Sequence, residues 1–230
     1  SEDYNDAYFL LEADDIKLNG YAVNETGERL QLFIVDERYV GEHLESDELL
    51  VSEKVHYERQ FRRVTKFVRS AIGGSLLEKI QDADPVKSLV VQLSSPQGME
   101  QFDVIEIFLV TLSATVSRKG QELQPRDIHF EKDAIKVSQK SGGVVKKKEI
   151  LILQRVIDLN FIHAVNVSRG NREPLTVNFK RDFNSRIEVI KAAGGKNFES
   201  YLCVLDAEVL SDLYKLYSSR LLEKNVRSFL

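Results

Sequence analysis

The stretch that decides the fold is Ile16-Lys-Leu-Asn-Gly-Tyr-Ala-Val-Asn-Glu-Thr-Gly-Glu-Arg-Leu-Gln-Leu-Phe-Ile-Val-Asp-Glu-Arg-Tyr39. Its first residues alternate, so that Ile16, Leu18, Gly20 and Ala22 share one face of a predicted strand. The segment 24–27 has the residues of a tight turn, and Gly27 can adopt a positive φ. The apolar run 32–35 then predicts a second strand that is covered on both faces. The stretch therefore predicts an antiparallel hairpin.

The second strand of this hairpin ends in the charged residues 36–38. Most strand ends are polar, but charged residues at the end of a central strand also commonly form a site on a rigid scaffold. Metal-dependent phosphodiester cleavage uses carboxylates to bind a divalent cation and a positive group to stabilise charge. If the chain is such a nuclease, Asp36 and a neighbouring carboxylate such as Asp14 or Asp15 would bind Mg²⁺. Arg38 could stabilise charge, although arginine is a poor base.

The composition limits the classes of function. A chain of 230 residues can form one domain or two. The net charge of −4 means that nucleic acid would need a local basic patch. Cys203 is the one cysteine, which excludes an internal disulfide and fits a reducing cytoplasm. It lies in an apolar run and is expected to be buried. No apolar run reaches the roughly 18 residues of a membrane span, so no membrane partner is indicated.

A long helix is predicted after Ser52, which is a suitable N-cap residue. Its apolar residues step by three and four and predict one face that packs on the sheet: Tyr57, Phe61, Val64, Val68 and Ile72. A basic stripe lies largely away from that face: Arg59, Arg62, Arg63, Lys66 and Arg69. The stripe is either a solvated helix face, balanced by Glu53 and Glu58, or a surface that contacts the phosphates of DNA or RNA.

The order of elements predicts the fold class. A hairpin, a long helical crossover and the apolar strand 103–112 indicate an α/β or α+β protein with a mixed sheet. We predict two domains, residues 1–115 and a β-rich α+β part over residues 116–230. Asp206 is expected to cap a closing helix whose apolar face is formed by Leu210, Leu213, Tyr214 and Tyr217. No Gly-x-Ser-x-Gly, Rossmann or Walker motif occurs.

The carboxy-terminal segment 212–230 resembles the signature that opens the conserved region of AIPR proteins, the abortive-infection phage-resistance proteins of bacteria. Leu222-Glu-Lys-Asn-Val-Arg-Ser-Phe229 carries most of this resemblance. The segments Asn19-Gly-Tyr-Ala22 and Leu32-Phe-Ile-Val-Asp36 resemble the amino-terminal region of the same proteins. The resemblance implies phage defence in the bacterial cytoplasm and a chain that is the amino-terminal part of a longer protein. It implies no set of catalytic residues.

Residues 1–112 also resemble the core of PD-(D/E)xK restriction-type nucleases, especially those of Mrr type. In that pattern Asn19 takes the position of the first metal-binding aspartate, before Gly20-Tyr21, and the segment 36–39 takes the position of the second motif. Arg38 replaces the lysine of the family. A neutral amide binds Mg²⁺ weakly, because such sites depend on carboxylate charge. The resemblance therefore implies a restriction-endonuclease-like core with a degenerate site at Asn19, Asp36 and Arg38.

Three functions remain open. The first is a non-enzymatic module for nucleic-acid recognition or assembly, which binds DNA or RNA through the basic stripe. The second is an active nuclease that uses Mg²⁺, the single cofactor that the residues suggest. The third is a structural domain that forms a homo-oligomer or binds the carboxy-terminal part of the same protein. The nuclease-derived interpretation also predicts that the hairpin lies within the sheet, beneath the long helix, with Asn19 and Asp36 close together.

Overall fold

A computed structural model describes residues 4–25, 27–37, 50–51, 54–111, 114–115, 130–141, 144–159, 161–162, 166, 177 and 179–217. The chain divides into two compact units, Ser1–Pro174 and Leu175–Leu230, which are described separately. Within the described residues, no helix combines the length and the hydropathy that crossing a bilayer requires.

The first unit combines β-strands, α-helices and a 3-10 turn. The strands are β1 (Asn5–Leu11), β2 (Ile16–Val23), β3 (Arg29–Val35), β4 (Leu50–Val51), β5 (Val104–Val110), β6 (Ala114–Thr115), β7 (Phe130–Ser141) and β8 (Val144–Ile157). The helices are α1 (Lys54–Ile72), α2 (Lys87–Ser94) and α3 (Pro96–Gln101), and a 3-10 turn, Glu12–Asp14, joins β1 to β2.

Six of these strands form one mixed sheet in the order β1-β2-β3-β5-β8-β7. The first three strands are an antiparallel meander, β5 runs parallel to β3, β8 runs parallel to β5, and β7 closes the sheet antiparallel to β8. The prediction of a mixed sheet in an α+β protein is confirmed. The hairpin β2–β3 occupies the second and third positions, as predicted, and Gly27 adopts a φ of 77° in its turn.

The prediction that two domains, residues 1–115 and 116–230, meet after residue 115 stays a prediction. In the described structure, strands from both sides of that boundary pair within one sheet, because β5 is hydrogen-bonded to β8 along seven residue pairs, from Val104↔Leu151 to Val110↔Ile157.

The main core lies between α1 and one face of this sheet. Leu32 of β3, Ile107 of β5 and Ile152 of β8 lie on that face and are fully buried. The helix contributes apolar residues at intervals of three and four: Phe61, Val64, Phe67, Val68 and Ala71. Tyr57 and Ile72, which the sequence also assigned to this face, are partly buried against it. The helix ends at Gly73–Gly74, where Gly74 adopts a φ of 78°. The predicted cap Ser52 lies outside the described residues.

The opposite face of the sheet contains a buried charged pair beside an aromatic row. Arg29 Nη1 lies 2.9 Å from Glu106 Oε1, and these side chains are 8% and 3% exposed. The rings of Phe33 and Phe108 stack with centroids 5.3 Å apart, and the guanidinium of Arg155 lies over Phe108. Glu106 interrupts an otherwise apolar strand, so its buried partner compensates for the cost of burying a carboxylate.

The second unit contains α4 (Phe179–Phe183), the hairpin β9–β10 (Val189–Gly194 and Glu199–Cys203) and α5 (Ala207–Tyr217). The closing helix was predicted, but its buried face differs from the prediction. Leu213, Leu216 and Tyr217 are buried, whereas Leu210 and Tyr214 are exposed, because the helix is rotated toward Leu216. Cys203 is exposed, which contradicts the expected burial: among the described residues its strand pairs with β9, and every residue of this hairpin is exposed.

Candidate functional site

Side chains of β2 bind the end of β3. The backbone pairing of the two strands extends from Val23↔Leu30 to Gly20↔Phe33. Beyond it, the Val35 amide donates to Asn19 Oδ1 (2.9 Å), and Lys17 Nζ donates to the Val35 carbonyl (3.3 Å). Both backbone groups of the last β3 residue are therefore bound by side chains of β2. Asn19 thus contacts the residue before Asp36, and its amide oxygen is used in holding β3.

Lys17 also forms an ion pair with Glu37, at 3.0 Å between Nζ and Oε1. The lysine side chain is buried, whereas Glu37 is largely exposed. The hydrogen bond from Lys17 lowers the pKa of the Glu37 carboxyl below its ordinary value, with smaller effects in the same direction from the charge of Lys17, the amide of Asn19 and the charge of Arg63. Lys17, Asn19 and Glu37 form one polar group at the end of the hairpin.

Substituting Lys17 with Met is expected to raise the pKa of Glu37 toward its ordinary value, because the largest cause of the lowering is removed. In the native chain, the lowered pKa makes a stabilising contribution that is fully present above the ordinary glutamate pKa. That contribution is lost as the pH falls through the lower pKa of the folded state. Carboxyl NMR titration measures the shift. Glu199, whose pKa is lowered chiefly by Lys191, should not change and is the internal control.

Asp36 lies in a different environment from Glu37. It is buried, its amide donates to the Val110 carbonyl (2.9 Å), and its Oδ1 lies 3.6 Å from Nε2 of His56 in the first turns of α1. Asp36 therefore lies beneath the amino-terminal part of α1. Arg38, the third residue of the degenerate motif, lies outside the described residues.

Asp15, the other predicted metal ligand, binds the basic stripe of α1. It adopts a left-handed conformation (φ 52°) at the start of β2. Arg59 Nη2, Arg63 Nε and Lys66 Nζ lie 3.3, 3.2 and 3.7 Å from its carboxylate oxygens. Arg62 and Arg69, the other members of the stripe, are exposed on α1. Three cations thus converge on one carboxylate.

In the structure, Asp15 contacts three members of the basic stripe. Asn19 contacts Val35, the residue that precedes Asp36. The carboxylate of Asp15 pairs with Arg59, Arg63 and Lys66, whereas that of Asp36 faces His56. Within the part of the chain that the structure describes, no three His, Cys, Asp or Glu side chains are grouped so that they could hold a metal ion.

Residues 1–137, which include β1–β3, α1 and β5, match the sequence model of the abortive infection phage resistance protein N-terminal domain. The chain belongs to the AIPR family. Comparisons of this AIPR chain with curated proteins and with solved structures give no match. The resemblance seen in the sequence is confirmed, and its two amino-terminal segments lie inside the matched residues. The segment 212–230, which carried most of it, lies outside the match, and the nuclease resemblance stays a prediction.

Sequence reasoning missed several polar residues of the AIPR chain. Lys17 and His56 contact the end of β3, and Arg29 pairs with Glu106 inside the sheet. A signal existed for Glu106, because a single carboxylate within the apolar run 104–110 requires a partner when buried. The pattern around Lys17 indicated its role less clearly, because a lysine between Ile16 and Leu18 also fits an ordinary strand with one exposed face. Nothing in the sequence pattern distinguished His56.

Proposed function

We propose that this AIPR chain is a non-enzymatic recognition module of a phage-defence protein of the bacterial cytoplasm, and that it binds DNA or RNA through the outer face of α1. The single observation that carries the proposal is the convergence of Arg59, Arg63 and Lys66 on the one carboxylate of Asp15, with Arg62 and Arg69 exposed on the same helix. These five cations lie on one helix of a chain whose net charge is −4.

The physics of phosphate binding favours such a face. Guanidinium groups donate to phosphate in a fixed planar geometry, and the binding releases counterions from the nucleic acid. Asp15 holds the inner cations at defined positions, since one carboxylate accepts from several of them. A phosphate could then accept hydrogen bonds from those N–H groups of the cations that Asp15 does not bind. The bound strand would follow the axis of α1. Contacts of this kind carry no sequence information, so the proposed binding is indifferent to base sequence.

The residues at the hairpin support a scaffold without catalysis. Asn19 supplies no charge to a cation and already accepts from the Val35 amide. Asp15 is surrounded by three cations, and a Mg²⁺ ion would have to displace them or approach them against electrostatic repulsion. In this proposal the arrangement of three antiparallel strands, a helix and a parallel strand serves as a rigid scaffold.

Binding of labelled single-stranded DNA, duplex DNA and RNA at several salt concentrations tests this function. We expect retention at about 50 mM salt and a steep loss by about 200 mM, with a linear fall of log K against log salt. Scrambled sequences should bind equally. An absence of binding at the lowest salt, or binding that salt does not weaken, would contradict the proposal.

An active Mg²⁺-dependent nuclease is the second candidate. One observation favours it: Asp15 at the start of β2 and Asp36 at the end of β3 lie at the same end of an antiparallel hairpin. Plasmid and RNA cleavage with Mg²⁺ tests it. Asp36→Asn should abolish cleavage, whereas Glu37→Gln should cleave as the parent does. If Asp36→Asn cleaves normally, the assignment of a nuclease site to this hairpin is wrong.

A chain that neither binds nor cleaves nucleic acid would instead fit the structural alternative. It should then sediment as a homo-oligomer, or it should bind the carboxy-terminal part of the same protein. Sedimentation of the chain alone, and of a mixture with that part, distinguishes these two cases.

A further inference from the structure

The face of the sheet that points away from α1 carries exposed aromatic side chains at its β1 edge. Ala7 and Phe9 of β1 belong to the core beneath α1. Side chains alternate along a strand, so Tyr8 points to the opposite face. Tyr4, just before β1, lies on that face too, because the edge of its ring meets Phe33 with the centroids 5.4 Å apart. Tyr4 and Tyr8 are 56% and 50% exposed.

Tyr4 is held in a fixed position although half of it is exposed. Its ring lies across Gly20 of β2, where the Cβ of any other residue would clash with it. Its hydroxyl donates to the Asn19 carbonyl at 3.5 Å. Burial and, second, the charge of Asp6 raise the pKa of Tyr4, so the ring stays neutral at physiological pH. A ring that is fixed before binding loses little conformational entropy when a ligand stacks on it.

Tyr8 lies beside Lys17, which connects this face to the basic stripe. The Nζ atom of Lys17 lies 5.9 Å from the centroid of the Tyr8 ring. Lys17 follows Asp15 by two residues, or about 7 Å along the chain. Three cations of the stripe converge on Asp15. The exposed ring is therefore a short distance around the β1–β2 edge from the cations of α1.

We propose that Tyr8 and Tyr4 stack bases of a single-stranded nucleic acid whose phosphates are bound by the basic stripe. This inference rests on the proposed function and narrows its substrate to unpaired strands. Bases in a duplex are stacked on their neighbours, whereas the bases of a single strand can stack on exposed aromatic rings. The strand leaves the stripe at Asp15 and passes Lys17 to reach the other face. Stacking is tolerant of sequence, in agreement with binding that is indifferent to it.

The charges on this face explain why the two kinds of contact are separated. Asp6 lies between Tyr4 and Tyr8 in sequence and is exposed, and Lys17 is paired with Glu37. A phosphate placed here would meet the carboxylate of Asp6, whereas a base stacked on a neutral ring needs no cation. The face away from α1 therefore contacts bases, and α1 contacts phosphates.

A protein interface is the competing explanation, because aromatic side chains are enriched at such interfaces. A second copy of the chain packed on Tyr4 and Tyr8 would form an oligomer that Tyr8→Ala dissociates. Sedimentation of the parent chain and of Tyr8→Ala detects this. Dissociation of an oligomer, together with unchanged affinity for a single strand, would overturn the proposal.

The test compares two labelled single strands of equal length, one with all its bases and one that is abasic in its central part. Both carry the same phosphates. We expect the whole chain to bind the complete strand about tenfold more tightly or better at low salt. Tyr8→Ala and Tyr4→Ala should each lower that affinity about tenfold, with no change in the affinity for the abasic strand or in the salt slope. Tyr8→Phe should bind as the parent does, because stacking needs the ring and not the hydroxyl.

A tyrosine of similar exposure provides the matched control. Tyr214 on α5 of the second unit is 48% exposed, and Tyr214→Ala should bind both strands as the parent does. Thermal unfolding verifies that each variant folds, and Tyr8→Ala decides the matter if Tyr4→Ala does not. Equal binding of the two strands, or unchanged affinity in Tyr8→Ala, would overturn the stacking and leave phosphate binding by the stripe intact. Absence of binding to either strand would overturn the proposed function as well.

Discussion

Replacing both Arg62 and Arg69 with glutamate is expected to lower the affinity of the chain for DNA or RNA on the order of 100-fold at low salt. Both side chains are exposed on α1, so each can reach a phosphate. Their loss removes two phosphate contacts and places like charge against the backbone. The slope of log K against log salt should therefore fall by about two. Fluorescence anisotropy with a labelled oligonucleotide measures both quantities.

The choice of these two arginines follows from the structure. Arg63, which the sequence placed in the same stripe, is an ion-pair partner of Asp15, so its reversal would also disturb the start of β2. The matched control is Lys180→Glu with Lys196→Glu, which changes the net charge equally at exposed positions of the second unit. If the control loses affinity as much as the α1 variant does, binding reflects total charge and the stripe is not the interface.

Substituting Glu106 with Ala is expected to lower the free energy of unfolding by about 3–5 kcal/mol. The pair of Arg29 and Glu106 is almost completely buried, so removing the carboxylate leaves a guanidinium in a site with little access to water. Gln31 also loses a partner, because its Nε2 donates to Glu106 Oε2 at 3.4 Å. Urea denaturation, followed by circular dichroism, measures the change.

An exposed ion pair of similar length serves as the control for this prediction. Asp103 lies 2.8 Å from Lys148 Nζ, but its side chain is 63% exposed. Asp103→Ala should therefore cost only about 0.2–1 kcal/mol. Equal losses in the two variants would show that burial does not determine the strength of the Arg29–Glu106 pair, and the interpretation of that pair would be wrong.

Local patterns were sufficient to predict the first half of the sheet. The alternation in residues 16–22, the turn at Gly27 and the three- and four-residue steps of α1 all report on neighbours in sequence. The placement of β8 beside β5 depends on parallel pairing between residues such as Val104 and Leu151, which are far apart in the chain, and no local pattern encodes such pairing. The six-stranded sheet could therefore be predicted only in part.

The candidate site shows the same limit. The nuclease-like motif predicted that Asn19 lies near Asp36. In the structure, the side-chain amide of Asn19 binds the backbone of Val35. This role depends on where the pairing of β2 and β3 ends, which the motif does not specify. Cys203 shows a related limit, since an apolar run predicts burial only when another element covers it. In β9–β10 the two strands pair with each other, and the apolar residues remain exposed.

The central claim is that the outer face of α1 binds nucleic acid, and mapping of backbone amide NMR shifts during titration with an oligonucleotide tests it most directly. The account predicts saturable shifts at Arg59, Arg62, Lys66 and Arg69, which reverse when salt is added, with the amides of β9 and β10 unchanged. Saturable shifts confined to other elements, or an absence of shifts along α1 at low salt, would contradict it.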